Sequence, residues 1–72
     1  MIKYDPFWKY IKEHGISTYR LINEGINPDV IQRLRSKKNI SIKTLNQLCT
    51  VLECKVTDIL EYVPDEEEDA DL

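Results

Sequence analysis

Four consecutive residues, Gly25-Ile26-Asn27-Pro28, constrain this chain more than any other stretch. Glycine suits the left-handed end of one helix and asparagine the cap of the next. Proline fits the first helical position, where its missing N–H costs nothing. Only Ile26 stands between stop and start, as an apolar plug. Two short helices therefore have to meet at one tight turn.

The same punctuation recurs along the chain. Asp5-Pro6 reads as an N-cap followed by proline, and Phe7, Tyr10, Ile11 and His14 follow at helical spacing until Gly15. This predicts a first helix over 6–14. Ile16 is an apolar link, Ser17 caps a second helix ending near 24, and Leu21 and Ile22 give it a buried side. The third helix starts at 28, with Ile31 and Leu34 inward and Val30 flanking them. A polar, basic loop covers 36–39, Ile40 dips inward, and Ser41 caps a fourth helix. Its stripe of Ile42, Leu45, Leu48, Cys49 and Leu52 is the clearest in the chain. Val56, Ile59 and Leu60 mark a short fifth helix, although Lys55 stands where a capping side chain is expected. No segment shows convincing period-two alternation, and there is no repeat or glycine-rich phosphate loop. The expectation is an all-α, five-helix domain over 1–64 whose second and third helices form a helix-turn-helix.

Charge is distributed unevenly. The formal net charge is −3, but six of the thirteen acids are Asp65, Glu66, Glu67, Glu68, Asp69 and Asp71. Residues 1–64 carry ten basic and seven acidic side chains, a net of +3. Within 33–43, Arg33, Arg35, Lys37, Lys38 and Lys43 occur with no acid. A phosphate backbone meets local charge, so nucleic acid remains a fitting partner. Residues 65–72 are expected to form a solvated, disordered acidic tail.

Several functions are disfavoured. Seventy-two residues leave little room for an enzyme's pocket, and there is one histidine and no recognisable nucleophile–base pair. Cys49, Cys54 and His14 lack metal-ligand spacing, so no metal or other cofactor is expected, and the two cysteines read as buried free thiols. No small-molecule ligand is evident. No apolar run approaches the roughly 18–20 residues that cross a bilayer. The N-terminal residues lack a signal-peptide pattern, so a cytoplasmic location is expected.

The residues Ser17-Thr18-Tyr19-Arg20-Leu21-Ile22, Gly25-Ile26-Asn27 and Ile31-Gln32-Arg33-Leu34 resemble the helix-turn-helix of Cro/C1-type (XRE-like) transcriptional regulators. The likeness continues through Ile40-Ser41-Ile42-Lys43-Thr44-Leu45, Leu48-Cys49-Thr50-Val51-Leu52 and Val56-Thr57-Asp58-Ile59-Leu60. Tyr4-Asp5-Pro6-Phe7-Trp8, Asn39-Ile40-Ser41 and the Cys49/Cys54 pair resemble a short single-domain subgroup. The resemblance covers about residues 4–62. Two features depart from it. The connection between helices two and three is one residue shorter than the commonest pattern, and Pro28-Asp29 open the third helix where many relatives have polar or basic residues.

The resemblance implies sequence-specific binding of double-stranded DNA, with the helix over 28–35 in the major groove and repression more than activation as the output. Pro28, Asp29, Gln32 and Arg33 are the candidates for base contact. Arg33 matches guanine O6 and N7, and Gln32 matches adenine. Asp29 has two readings, acceptor from cytosine or stabiliser of the helix N-terminus. Thr18, Tyr19, Ser36, Lys37, Lys38, Asn39 and Lys43 are the candidates for phosphate contact. Trp8 and Tyr10 read as core or partner-facing. One recognition helix reads few base pairs, so a homodimer is expected at least on DNA, through helix five with Glu61-Tyr62-Val63, or through Met1–Tyr4. The rival reading is a protein-interaction or antitoxin-like module on the same fold. The surface on which the basic residues of 33–38 lie discriminates between the two.

Overall fold

A computed structural model describes residues 1–64. Strand β1 (Ile2–Lys3) is followed by helices α1 (Asp5–Glu13), α2 (Thr18–Asn23), α3 (Pro28–Arg35) and α4 (Ile42–Leu52). A 3-10 turn (Val56–Asp58) and strand β2 (Glu61–Tyr62) complete the order. The acidic tail expected over 65–72 lies outside the described residues.

Three helix starts are set by side chains. Ser17 Oγ accepts from the Arg20 N–H, Asn27 Oδ1 from the Asp29 N–H, and Ser41 Oγ from the Thr44 N–H. Each satisfies one of the amides that a first turn leaves without a helical partner. The first helix differs from expectation. Its N-cap is Tyr4, without a side-chain cap bond, and Asp5 is already helical. The Tyr4 carbonyl takes the Phe7 N–H instead, and Asp5 sits where a negative charge suits the helix dipole. Gly15 and Gly25, at φ of +65° and +106°, make the turns after α1 and α2 in the left-handed region glycine tolerates.

Two expectations about secondary structure are corrected. The fifth helix is a single 3-10 turn. The Asp58 carboxylate accepts from the Lys55 N–H and so supplies backwards the cap that Lys55 lacks. Extended chain resumes at Glu61, before a helix can propagate. The fold is mostly helical but not all-α, because β1 and β2 pair antiparallel with Ile2 opposite Tyr62 and Lys3 opposite Glu61. The pairing continues outward, with Val63 N–H donating to Met1 O and the Met1 ammonium to Val63 O at 2.8 and 2.6 Å. The two segments considered as dimer surfaces thus spend backbone groups on each other.

One core joins the elements: Tyr4, Phe7, Ile11, Leu21, Ile26, Ile31, Leu34, Leu45, Leu48, Leu52 and Ile59. Ile26, the plug of the tight turn, is almost completely enclosed. Ile42 is not part of this core; it is 79% exposed. It occupies the first position of α4, more than a turn ahead of Leu48, where the stripe has passed the edge of the packed layer. His14 is also exposed. Its ring stacks on Tyr10 at 4.0 Å between centroids, and Nδ1 lies 2.8 Å from the Tyr10 carbonyl. Cys49 and Cys54 are free and half-buried.

Candidate nucleic-acid interface

Helix α3 is held from inside and from both ends. Ile31 and Leu34 anchor its inner side, Val30 is half-buried, and Pro28, Asp29, Gln32, Arg33, Arg35 and Ser36 are exposed. At 100° per residue, Asp29, Gln32, Arg33 and Ser36 form the row opposite Ile31 and Leu34. Its start is fixed by the Asn27 cap and by a contact the sequence did not reveal. Gln47 on α4 donates through Nε2 to the carbonyl of Gly25, 3.1 Å away, clamping the turn between α2 and α3.

The end of α3 is a left-handed closure. Lys37 has φ of +61°, the Lys38 N–H reaches Arg33 O at 2.8 Å and the Lys37 N–H reaches Leu34 O at 3.4 Å. This is the Schellman arrangement, with lysine where glycine is usual. A second long-range bond holds the loop that follows, for buried Tyr4 donates its hydroxyl to the Lys38 carbonyl at 2.8 Å. Nothing local in sequence links positions 4 and 38, so periodicity could not have found it.

The expected contact residues fall into three groups. Along the outer row of α3, Arg33 Nε donates to Asp29 Oδ2 at 2.9 Å, and Arg33 Nη1 makes a longer contact, 3.4 Å, with the Asn39 carbonyl. Gln32 Nε2 donates to Ser36 Oγ at 3.3 Å. Asp29 therefore lies in the first turn of α3 and accepts from Arg33 through its carboxylate. Both members are well exposed, so the pair contributes only a few tenths of a kcal/mol to stability. The guanidinium fork remains in reach of an outside acceptor.

Around that row, Thr18 is half-buried and Tyr19 72% exposed in the first turn of α2. Asn39 borders a polar cleft between α3 and α4, with Asn27, Asp29, Arg33, Ser41 and Thr44. Lys43 is exposed in the first turn of α4.

The third group turns elsewhere. The Arg35 guanidinium carbon lies 5.7 Å from the centre of the Trp8 ring on α1, a cation–π distance, and Lys37 shares a groove with Arg35, Trp8 and β1. The basic residues of 33–38 are thus split. Arg33 belongs to the outer row of α3, whereas Arg35 and Lys37 face the N-terminal strand. Lys38 is exposed between them.

Among the described residues no group of three or more His, Cys, Asp or Glu side chains could hold a metal ion, and no helix is long and apolar enough to cross a membrane. Burial is the main cause that pushes the Cys54 thiol up to about 11, with the neighbouring Cys49 and Asp58 adding to it. Such a thiol is protonated at neutral pH and a poor nucleophile.

Comparison with known proteins agrees with this geometry. A family model described as the Cro/C1-type HTH DNA-binding domain matches residues 7–65. Among solved structures, the transcriptional regulator VanUg is similar, at 25% sequence identity and a TM-score of 0.79 over 89% of this chain and 87% of that one. No match was found among the curated proteins compared.

Proposed function

The chain belongs to the Cro/C1-type helix-turn-helix DNA-binding family, and from that premise we propose that it is a sequence-specific transcriptional regulator, a repressor, that lays α3 in the major groove. The observation that carries the reading is the outer row Asp29, Gln32, Arg33 and Ser36 on a helix fixed at its start by Asn27 and at its end by the left-handed Lys37. A reading helix has to present its side chains without paying to order itself on DNA, and α3 is already ordered at both termini.

Arg33 and Gln32 read bases in this arrangement. The Asp29 carboxylate holds Arg33 at Nε, and the outer nitrogens turn to guanine O6 and N7 as Nη1 gives up its 3.4 Å contact with the Asn39 carbonyl. Gln32 exchanges its bond with Ser36 for the edge of adenine. Pro28 stands at the N-terminal end of the row, where its ring meets a thymine methyl. Thr18 and Tyr19, with the free amides at the start of α2, contact phosphate on one side. Ser36, Lys38, Asn39 and Lys43 contact it on the other, with Lys37 reaching phosphate from the margin beside the N-terminal strand. Two copies act together in the cytoplasm as a homodimer on half-sites about one helical turn apart.

The split of the basic residues favours a second reading, a protein-interaction or antitoxin-like module in which α3 meets a protein partner. One experiment separates the two. The full chain is bound to a randomised duplex pool at two salt concentrations, with fluorescence anisotropy and sequencing of the bound fraction. A recovered palindrome, with affinity falling steeply in salt, supports the regulator. Absence of enrichment together with weak salt dependence refutes it in favour of the interaction module.

A further inference from the structure

Beside the N-terminal strand lies a groove of about 320 Å³. Its lining includes Ile2, Trp8 and Leu34 as apolar surface and Lys3, Arg35 and Lys37 as cations. Asp5 is the one acid among the lining residues, so the groove carries three positive side chains against one negative, a net of +2. Arg35 is already desolvated on one side by its position over Trp8. Such a surface suits an extended acidic segment, with carboxylates on the cations and the stem between them on the indole.

The chain itself delivers that segment to the groove. Val63 is paired through its backbone with Met1, and Met1 and Ile2 belong to the lining. Val63 therefore stands at the border of the groove, and residues 65–72 follow it closely in sequence. Six of the eight residues over 65–72 are Asp or Glu. Eight residues reach at most about 26–29 Å when extended. A tail of that reach, attached through Val63 beside Met1, is long enough to bring carboxylates to Lys3, Arg35 and Lys37.

We propose that residues 65–72 dock in this groove, across Trp8 and between Lys3, Arg35 and Lys37. The contact itself does not depend on DNA. Its consequence rests on the regulatory reading: a docked tail withholds Lys37 from phosphate and makes the protein a weaker, more selective DNA binder than its outer α3 row alone allows.

Trp8 is the only tryptophan in the chain and reports on the groove directly. The test compares the full chain with a full-length variant whose tail acids are amides: Asp65→Asn, Glu66→Gln, Glu67→Gln, Glu68→Gln, Asp69→Asn and Asp71→Asn. The expected result is a red-shifted Trp8 emission and a larger acrylamide quenching constant in the variant. Roughly 1 M sodium chloride, where the screening length is about 3 Å, should produce the same change in the native chain and little in the variant. Lys3→Gln with Lys37→Gln should reproduce it at low salt. Identical Trp8 emission and quenching in native and amide-tail proteins overturns the proposal. Quenching that follows protein concentration instead of tail charge also overturns it, because a second copy then covers the groove. Failure of every form to bind DNA falls on the functional reading and leaves the Trp8 comparison intact.

Discussion

Tyr4→Phe isolates the bond by which the N-terminal segment holds the loop after α3. The ring is buried and stays so in phenylalanine, leaving the change to the hydroxyl that donates to Lys38 O at 2.8 Å. A neutral hydrogen bond of this kind contributes about 0.5–1.5 kcal/mol, and leaving its part-buried carbonyl without a partner adds to the loss. The expected cost is thus about 1 kcal/mol or somewhat more. In a domain of this size each kcal/mol lowers Tm by about 4–8 °C, which differential scanning calorimetry resolves. Tyr10→Phe provides the control, since its hydroxyl donates at 3.2 Å to Leu52 O at the end of α4, away from α3. Both variants should melt earlier. Only Tyr4→Phe should also weaken DNA binding, because only it frees the backbone of Lys38. An unchanged Tm for Tyr4→Phe would refute the energetic argument. Equal loss of DNA affinity in the two variants would refute the link between this bond and the interface.

Four further outcomes are expected. Arg33→Ala should lose about 1–3 kcal/mol of binding to a preferred site and much less to random DNA; equal losses on both, by anisotropy titration, would remove its base-reading role. Glu53 ends α4 at φ of +51°, a left-handed position that also sets a negative charge at a helix C-terminus. Glu53→Gly should therefore stabilise the fold by about 1 kcal/mol, and a lower urea midpoint would contradict this. Ile42→Lys should change stability by no more than about 0.5 kcal/mol, while Leu45→Ala should cost about 2–5 kcal/mol; comparable losses in the two would restore Ile42 to the core. Finally, burial raises the Cys54 thiol from an ordinary 9.0 to about 11. Folding thus favours its protonated form, a contribution complete below pH 9 and lost as pH rises through 11. The resistance of the native chain to chemical denaturant should fall over that window more than that of Cys54→Ala, and parallel profiles would reject the assignment.

What was legible in the sequence was what chemistry encodes locally. Ser17, Asn27 and Ser41 signal their helices because a cap acts on amides two or three residues away, and each makes the expected bond. The turn at Gly25-Ile26-Asn27-Pro28 was equally clear, since backbone freedom, burial and capping are read there at adjacent positions. Periodicity identified the helices but not where each stripe leaves the core, which is why Ile42 read as buried. Strands of two residues carry no alternation, so β1 and β2 left no trace. The candidate site was legible only as far as one helix determines which side chains are exposed. Asp29, Gln32, Arg33 and Ser36 follow from α3 alone, whereas the Gln47 clamp and the Tyr4 tether join positions 22 and 34 residues apart. The charge run at 33–38 is divided for a related reason: neighbours on a helix point in different directions, and Arg35 lies over the ring of Trp8.

The short sheet also bears on how the chain is made. Its first strand leaves the ribosome before any helix, yet its partner lies some sixty residues later. The helices and their capped turns need only near neighbours and can assemble while translation continues. The segment at 2–3 has to wait with its amides in water until Glu61 and Tyr62 emerge, and closing so long a loop carries an entropic cost that grows with the logarithm of its length. Tyr4, which steadies the loop after α3, follows immediately on that waiting strand. Residues 2–3 therefore gain their partner only after every helix of the domain, and the loop after α3 receives its last support when the two strands have met.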